Sequence, residues 1–257
     1  MAIHDFKAQR LYVDRPLAPG RRVVLDREQA NYLVNVLRLE AGRSIHVFNG
    51  RDGEWRATLA ADGRRGVALE VGDMLRPQGG GPDIDYLFAP LKRARLDYMV
   101  QKAVEMGVAR LRPVLTRHTV AERVNLERMR ANAVEAAEQC GILRLPEIAG
   151  PEKLARCLAA WPADRRLIFC DEGAELADPV AALRELAPTR ASATPPLAVL
   201  VGPEGGFSDD ERTALLAVPG VIRLSLGPRI LRADTAAVAA LALVEGVVGD
   251  WRGQDRS

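Results

Sequence analysis

The seven residues Arg76-Pro77-Gln78-Gly79-Gly80-Gly81-Pro82 divide this chain. Three adjacent glycines between prolines neither continue a helix nor sit in a central strand, so the segment is expected to be a linker or long loop. The apolar pattern differs on its two sides. Before it, Leu11–Val13, Arg22–Leu25, Ser44–Phe48, Glu54–Leu59 and Val67–Val71 read as short strands. Asn49-Gly50-Arg51-Asp52-Gly53 is turn-rich and makes the third and fourth of these a hairpin. Leu33, Val36 and Leu37 repeat at helical spacing and predict a helix over Glu28–Leu39. Strands with one short helix predict a small β-barrel over residues 1–76.

Beyond the 77–82 linker the pattern becomes an alternation. Strands are expected at Tyr86–Ala89, Leu111–Leu115, Leu167–Cys170, Leu197–Val201 and Ile222–Leu226. Helices are expected at Arg93–Met106, Leu126–Cys140, Pro151–Ala160, Pro179–Leu186, Asp209–Ala217 and Ala233–Val248. Such alternation predicts an α/β domain over residues 83–257 with a mostly parallel sheet. Ligands in such sheets bind beyond the carboxyl ends of the strands, which directs attention to the loops after Val201 and Leu226.

Composition excludes several classes. At 48% hydrophobic and 27% charged, the 257 residues suit one large or two unequal globular domains and not a disordered chain. No apolar run approaches a membrane span, and Met1–Phe6 lacks the basic and apolar regions of a signal peptide. Cys140, Cys157 and Cys170 have no CxxC spacing and few histidines to join them. A reduced, cytoplasmic protein without structural zinc or other metal is expected. Charge is uneven: residues 1–130 carry 23 Lys and Arg against 16 Asp and Glu, and residues 131–257 carry 13 against 18. That imbalance fits a basic face for a polyanion, or scattered surface charge.

Two strand-to-helix crossings carry the strongest local signals. In the first, Leu197–Val201 runs into Gly202-Pro203-Glu204-Gly205-Gly206-Phe207, and Ser208 with Glu211 forms an S-x-x-E capping box. Its glycines let backbone approach a ligand, but the spacing is neither GxGxxG nor a P-loop, and a plain tight turn is the alternative. In the second, Arg223–Leu226 is followed by Gly227-Pro228-Arg229-Ile230-Leu231-Arg232-Ala233-Asp234. Arg229 and Arg232 suit an anionic substrate or developing negative charge. The alternative is solvated arginines with Asp234 serving the helix dipole. Two such turns at one sheet end make a pocket more probable than either alone. On the helix after Lys92, a cationic path of Lys92, Arg95, Lys102 and the later Arg117 competes with a solvated face on which Gln101 and Glu105 pair.

These residues together resemble the RsmE family of bacterial 16S ribosomal RNA uridine N3-methyltransferases, of the SPOUT class. The resemblance runs through Arg10–Val13, Val36–Leu39, Gln101–Gly107 and Ala136–Gln139, and is most specific at Gly202–Phe207 and Leu226–Arg232. It implies a PUA-like RNA-binding β-barrel, then an α/β methyltransferase domain with a C-terminal trefoil knot. It also implies a homodimer, S-adenosylmethionine as cofactor, and 16S rRNA of the small ribosomal subunit as partner. The apolar stretch Ala236–Val248 offers a dimer face, although core burial explains it equally. The chain departs from the family at Asn31 and His118, where His and Ser are usual, and at Asp234, where Glu is usual.

On this reading Leu200, Gly202, Gly205, Leu224, Leu226, Gly227, Ile230 and Leu231 form the cofactor site. Arg229 or Arg232 stabilises a uracil anion, and Asp234 or Glu204 accepts the N3 proton directly or through water. Arg10, Arg38, Lys92, Lys102 and Arg117 contact RNA. A ribose 2′-hydroxyl methyltransferase and a non-catalytic RNA-binding assembly factor are the competing readings. A nicotinamide oxidoreductase is disfavoured by the missing GxGxxG.

Overall fold

A computed structural model describes residues 8–63, 66–121, 123–175, 178–187 and 194–252. The chain forms two compact units, Met1–Gly80 with Ala137–Leu145, and Gly81–Ala136 with Pro146–Ser257. The second unit is therefore not the uninterrupted 83–257 block expected from sequence.

The first unit holds strands β1 (Arg10–Tyr12), β2 (Arg22–Val24), β3 (Ser44–Phe48), β4 (Glu54–Asp62) and β5 (Gly66–Arg76). Their order in the sheet is β1-β3-β4-β5-β2, with β1 parallel to β3 and the other pairs antiparallel. One core gathers Leu11, Val23, Ile45, Val47, Ala57 and Leu69 from all five strands, so the sheet curls around a single interior. The expected helix over Glu28–Leu39 is shorter. Helix α1 (Arg27–Asn31) starts at an Asp26/Gln29 capping box and passes into a π-helical turn, Tyr32–Val36. The wider turn brings Leu37 and Leu39 as well as Leu33 onto the core. It ends at Arg38, whose φ of 55° makes it the one non-glycine residue with positive φ among the described residues.

Arg10 is a correction. Expected on an RNA face, it is buried, its guanidinium stacked over the Phe48 ring. Its Nε donates to Glu54 Oε1 at 2.6 Å, and Arg76 Nε donates to Glu54 Oε2 at 2.6 Å. The remaining guanidinium hydrogens go to the carbonyls of Ala137, Glu138, Gly141 and Ile142. The first two are among the last carbonyls of the helix ending at Cys140, which have no partner within a helix. Burial alone would raise the Glu54 carboxyl, but the hydrogen bonds from Arg76 and Arg10 outweigh it and hold its pKa below the ordinary value.

The second unit is a seven-stranded parallel sheet ordered β12-β10-β11-β6-β7-β8, with β9 also on β7. These strands are β6 (Ile84–Phe88), β7 (Arg110–Leu115), β8 (Glu147–Ile148), β9 (Glu152–Lys153), β10 (Arg166–Cys170), β11 (Leu197–Val201) and β12 (Ile222–Leu224). Every residue of β6 and β11 is buried, as continuous apolar strands covered on both faces should be. The helices are α2 (Arg93–Glu105), α3 (Leu126–Cys140), α4 (Leu154–Ala159), α5 (Pro179–Arg184), α6 (Asp209–Leu216) and α7 (Ala233–Val247). On α7, Ala236, Ala237, Ala240, Leu241 and Val244 are buried, and the helix packs on α2, α5 and β11. The face considered for dimerisation is thus spent inside the chain.

Sheet order differs from chain order where it matters. β10 lies between β11 and β12, and β11 lies between β10 and β6. The carboxyl ends of β10, β11 and β12 are therefore side by side, and the loops that leave them converge.

Candidate active site

Those three loops enclose one cleft. β10 contributes Phe169 through Glu172, the β11 loop contributes Val201–Glu204, Gly206 and Phe207, and the β12 loop contributes Leu224–Leu231. Local sequence sets each wall. The Ser208–Glu211 capping box is formed as expected and starts α6, which fixes where the β11 loop ends. Gly206 has φ +69° and Gly227 φ +96°, a region that a side chain makes costly. Phe207 packs edge-on against Phe169 with ring centroids 5.2 Å apart. A Cβ on Gly202 would lie 2.4 Å from the Phe207 ring, so glycine there lets the ring close the cleft floor.

Of the residues expected at the cofactor site, Gly202, Leu224, Leu226, Gly227, Ile230 and Leu231 line the cleft, and so do Arg229 and Glu204. Two do not. Leu200 is fully buried in the core, because successive side chains of a strand point to opposite faces of the sheet and both faces here are covered. Gly205 faces His118, whose Cβ would lie 3.2 Å from an added Cβ, and His118 Nδ1 is 3.2 Å from the Gly206 carbonyl oxygen. Arg232 and Asp234 are also outside the lining. Arg232 is the N-cap of α7 and lies 3.9 Å from Asp234, which accepts a hydrogen bond from the Thr235 amide.

Sequence reasoning missed Asp171, Glu172 and Arg212. Asp171 is buried and bridged by Arg212 at 3.0 Å and Arg223 at 2.9 Å, which ties the β10 end to α6 and β12. Glu172 is exposed at the cleft. The Asp-Glu pair ending a strand was the available signal, but only the strand order shows that it joins the two glycine loops. Cys170 also lines the cleft; burial pushes its thiol up to about 12, so it is no nucleophile at neutral pH.

The remaining cations fall in different places. Arg38, Lys92 and Arg117 are exposed. Lys102 bonds Glu105 at 2.6 Å and lies over the Tyr98 ring, so Glu105 is paired with Lys102 and not with Gln101, the alternative that the spacing had offered. Gln101 instead bonds Glu135 at 3.3 Å. Beside the cleft runs a second, cation-lined groove bordered by Lys92, Arg93, Arg95, Arg123 and Arg128, and Arg95 pairs with Glu204 at the boundary.

The cleft's chemistry fits S-adenosylmethionine. Ile230, 95% exposed, is a large apolar side chain that the chain itself leaves uncovered, and with Leu226 and Leu231 it offers a surface for an adenine ring. Backbone groups of the two glycine loops supply hydrogen bonds, and the Glu172 carboxylate suits ribose hydroxyls or a cationic sulfonium.

A parallel sheet with a glycine-lined cleft at three adjacent strand ends, preceded by a curled β-sheet unit, is the arrangement of a two-part RNA methyltransferase. An RNA methyltransferase domain model matches residues 80–245, and an RNA methyltransferase PUA domain model matches residues 25–72. The chain belongs to the ribosomal RNA small subunit methyltransferase E family. It is 32% identical to the member from Synechocystis, over 88% of this chain and 73% of that one. It is 28% identical to the Rickettsia conorii member, over 93% and 95%. A putative methyltransferase from Legionella pneumophila, solved in complex with the bound cofactor SAM, is 28% identical and superposes with a TM-score of 0.81 over 95% of this chain and 99% of that one.

Proposed function

We propose that this protein transfers a methyl group from S-adenosylmethionine to N3 of a uridine in 16S rRNA of the small ribosomal subunit. The observation that carries the reading is the cleft at the ends of β10, β11 and β12, in a chain related over nearly its whole length to small-subunit rRNA methyltransferases. The cofactor supplies an electrophilic methyl group held at a sulfonium. The chain's residues must do the rest. Uracil N3 holds its proton above neutral pH, so the site must stabilise the deprotonated ring or remove the proton as the bond forms.

Of the two arginines that line the cleft, Arg212 is committed to Asp171, and Arg229 is exposed and is the one taken to face a uracil carbonyl oxygen where negative charge develops. Glu204 is the cleft-lining carboxylate nearest the cationic groove, and it is the favoured proton acceptor over Asp234, which lies outside the lining. Ile230, Leu226 and Leu231 exclude water around the transferring group. The β-rich first unit contributes Arg38 to RNA contact.

The same reading includes a homodimer, a knotted chain path at the C-terminal end, and a cytoplasmic location. Mass spectrometry of nucleosides from 16S rRNA, with and without the protein, tests the reaction. N3-methyluridine appearing with the protein supports it. A ribose-methylated nucleoside, or no product despite bound S-adenosylmethionine, refutes it.

A further inference from the structure

The groove beside the cleft lies between the start of α2 and a wall that includes Val120, Arg123, Asn125 and Arg128, and Pro203 and Glu204 belong to both groove and cleft. Its cations are not equivalent. Arg128 is committed to Asp97 by two hydrogen bonds of 2.8 and 2.6 Å. Lys92, Arg93 and Arg123 are exposed and have no ion-pair partner among the described residues. Arg95 alone reaches the boundary, where it pairs with Glu204. Both side chains of that pair are well exposed, at 40% and 57%, so the bond is worth little and is readily exchanged.

Building on the function proposed above, we infer that this groove holds the phosphate backbone of the substrate RNA next to the target nucleotide, and that a phosphate there takes Arg95 away from Glu204. Three unpaired cations in a concave surface attract a polyanion, and the groove is continuous with the cleft in which the base must sit. A guanidinium can exchange a carboxylate for a phosphate with the same paired hydrogen bonds. The exchange leaves the Glu204 carboxylate free at the cleft when RNA is seated, where the N3 proton must go. Arg95 is thus a positioning residue that acts through Glu204, and without RNA the pair keeps both groups occupied.

The test is a double-mutant cycle on binding of unmodified, transcribed 16S rRNA, with S-adenosylmethionine affinity measured on the same proteins. Because Glu204 competes with phosphate for Arg95, Glu204→Gln should tighten RNA binding about two- to fivefold. In an Arg95→Ala background the same substitution should give no gain. Arg93→Ala and Arg123→Ala should each reduce the salt slope by about 0.7–1, with cofactor affinity unchanged. A gain from Glu204→Gln that persists without Arg95 would show general electrostatics and overturn the exchange. A wild-type salt slope in the Arg93→Ala/Arg123→Ala double variant would overturn the groove as the RNA path. So would a loss seen only with assembled ribosomal particles, which would assign the groove to a protein partner. Methylation of the same transcript by wild-type protein is scored separately. Its absence, with RNA and cofactor both bound, refutes the function and leaves the binding result to stand or fall alone.

Discussion

Where the strands of the parallel sheet begin, Asp83 and Asp85 face Arg110, Arg112 and Arg165; where they finish, Arg229 and Ile230 face solvent. At the first end a network of ion pairs joins the strands, although the buried Nε of Arg166 at the start of β10 has no hydrogen-bond partner among the described residues. Asp85 is buried and pairs with Arg110, with Arg112 at 3.1 Å and with Arg165 at 3.4 Å, and Arg112 continues to Glu152 at 3.0 Å. Arg165 also donates to the Leu197 carbonyl at 2.7 Å. At the second end the strands open into glycine loops, and Arg229 and Ile230 are exposed, with no ion pair to Arg229 among the described residues. The difference teaches which arginines hold the sheet and which are available to a ligand, although all lie in the same kind of sequence surroundings.

Substitution at the closed end should have the largest effect. Asp85→Ala leaves Arg110, Arg112 and Arg165 beside a buried gap, and loss of one partner from a buried charge network costs about 3–5 kcal/mol. Urea denaturation should show a lower midpoint at unchanged slope. A shift under 1 kcal/mol would mean that this end is not what secures the strands.

At the open end, Arg229→Ala should leave the fold and cofactor affinity nearly intact while lowering single-turnover methylation by about 10²–10³, as expected for one aimed electrostatic donor. Arg232→Ala, outside the cleft lining, should cost much less. If Arg232 proves the more important, the β12 loop rearranges on binding and the cleft seen here is not the reacting one.

The first unit repeats the closed arrangement at Glu54, and acid should reveal it. Its folded pKa is depressed below the ordinary value of 4.5, so its stabilisation is fully present above about 4.5 and is lost as pH falls through the folded value. Asp83, where burial is opposed by hydrogen bonds from Arg165 and Arg110, behaves in the same sense. Stability measured from pH 7 down to 3 should therefore fall, and the fall should be shallower in Glu54→Gln. An unchanged acid limb would show that Glu54 is not held by Arg10 and Arg76 in solution.

The smallest effect is expected at Asp234. It lies in the first turn of α7, where a carboxylate contributes about 0.3–1 kcal/mol through the helix dipole. Asp234→Asn should cost no more than that by thermal melting and change the methylation rate less than tenfold. A hundredfold loss of rate would restore it as the proton acceptor in place of Glu204.

Much of this architecture is written in short-range pattern. Leu197–Val201 and Leu126–Cys140 have the bounds that their apolar spacing predicts. Ser208 and Glu211 specify a helix start through two local hydrogen bonds that need no distant partner. The glycines of the two loops mark where backbone bends tightly, and six of the eight cofactor-site residues read from those loops line the cleft. The residues misread share one property: their role depends on something far away in the chain. Arg10 reads as a surface cation until Glu54 and the carbonyls at 137–142 are brought to it. Leu200 and Val201 are neighbours of the same apolar type, yet only the second reaches the cleft, because a strand turns alternate side chains to opposite faces.

The sequence by itself determined the longer strands and helices, the glycine- and proline-rich break near Pro77–Pro82 and the two glycine crossings, since each follows from spacing within a few residues. Only the tertiary structure decided that β10 lies between β11 and β12. That order brings Asp171 and Glu172 to the glycine loops and sets Glu204 between the cleft and a cationic groove. Which strand ends become neighbours, and which charges find partners, is settled by hydrogen bonding and burial between segments tens of residues apart, and no local pattern records it.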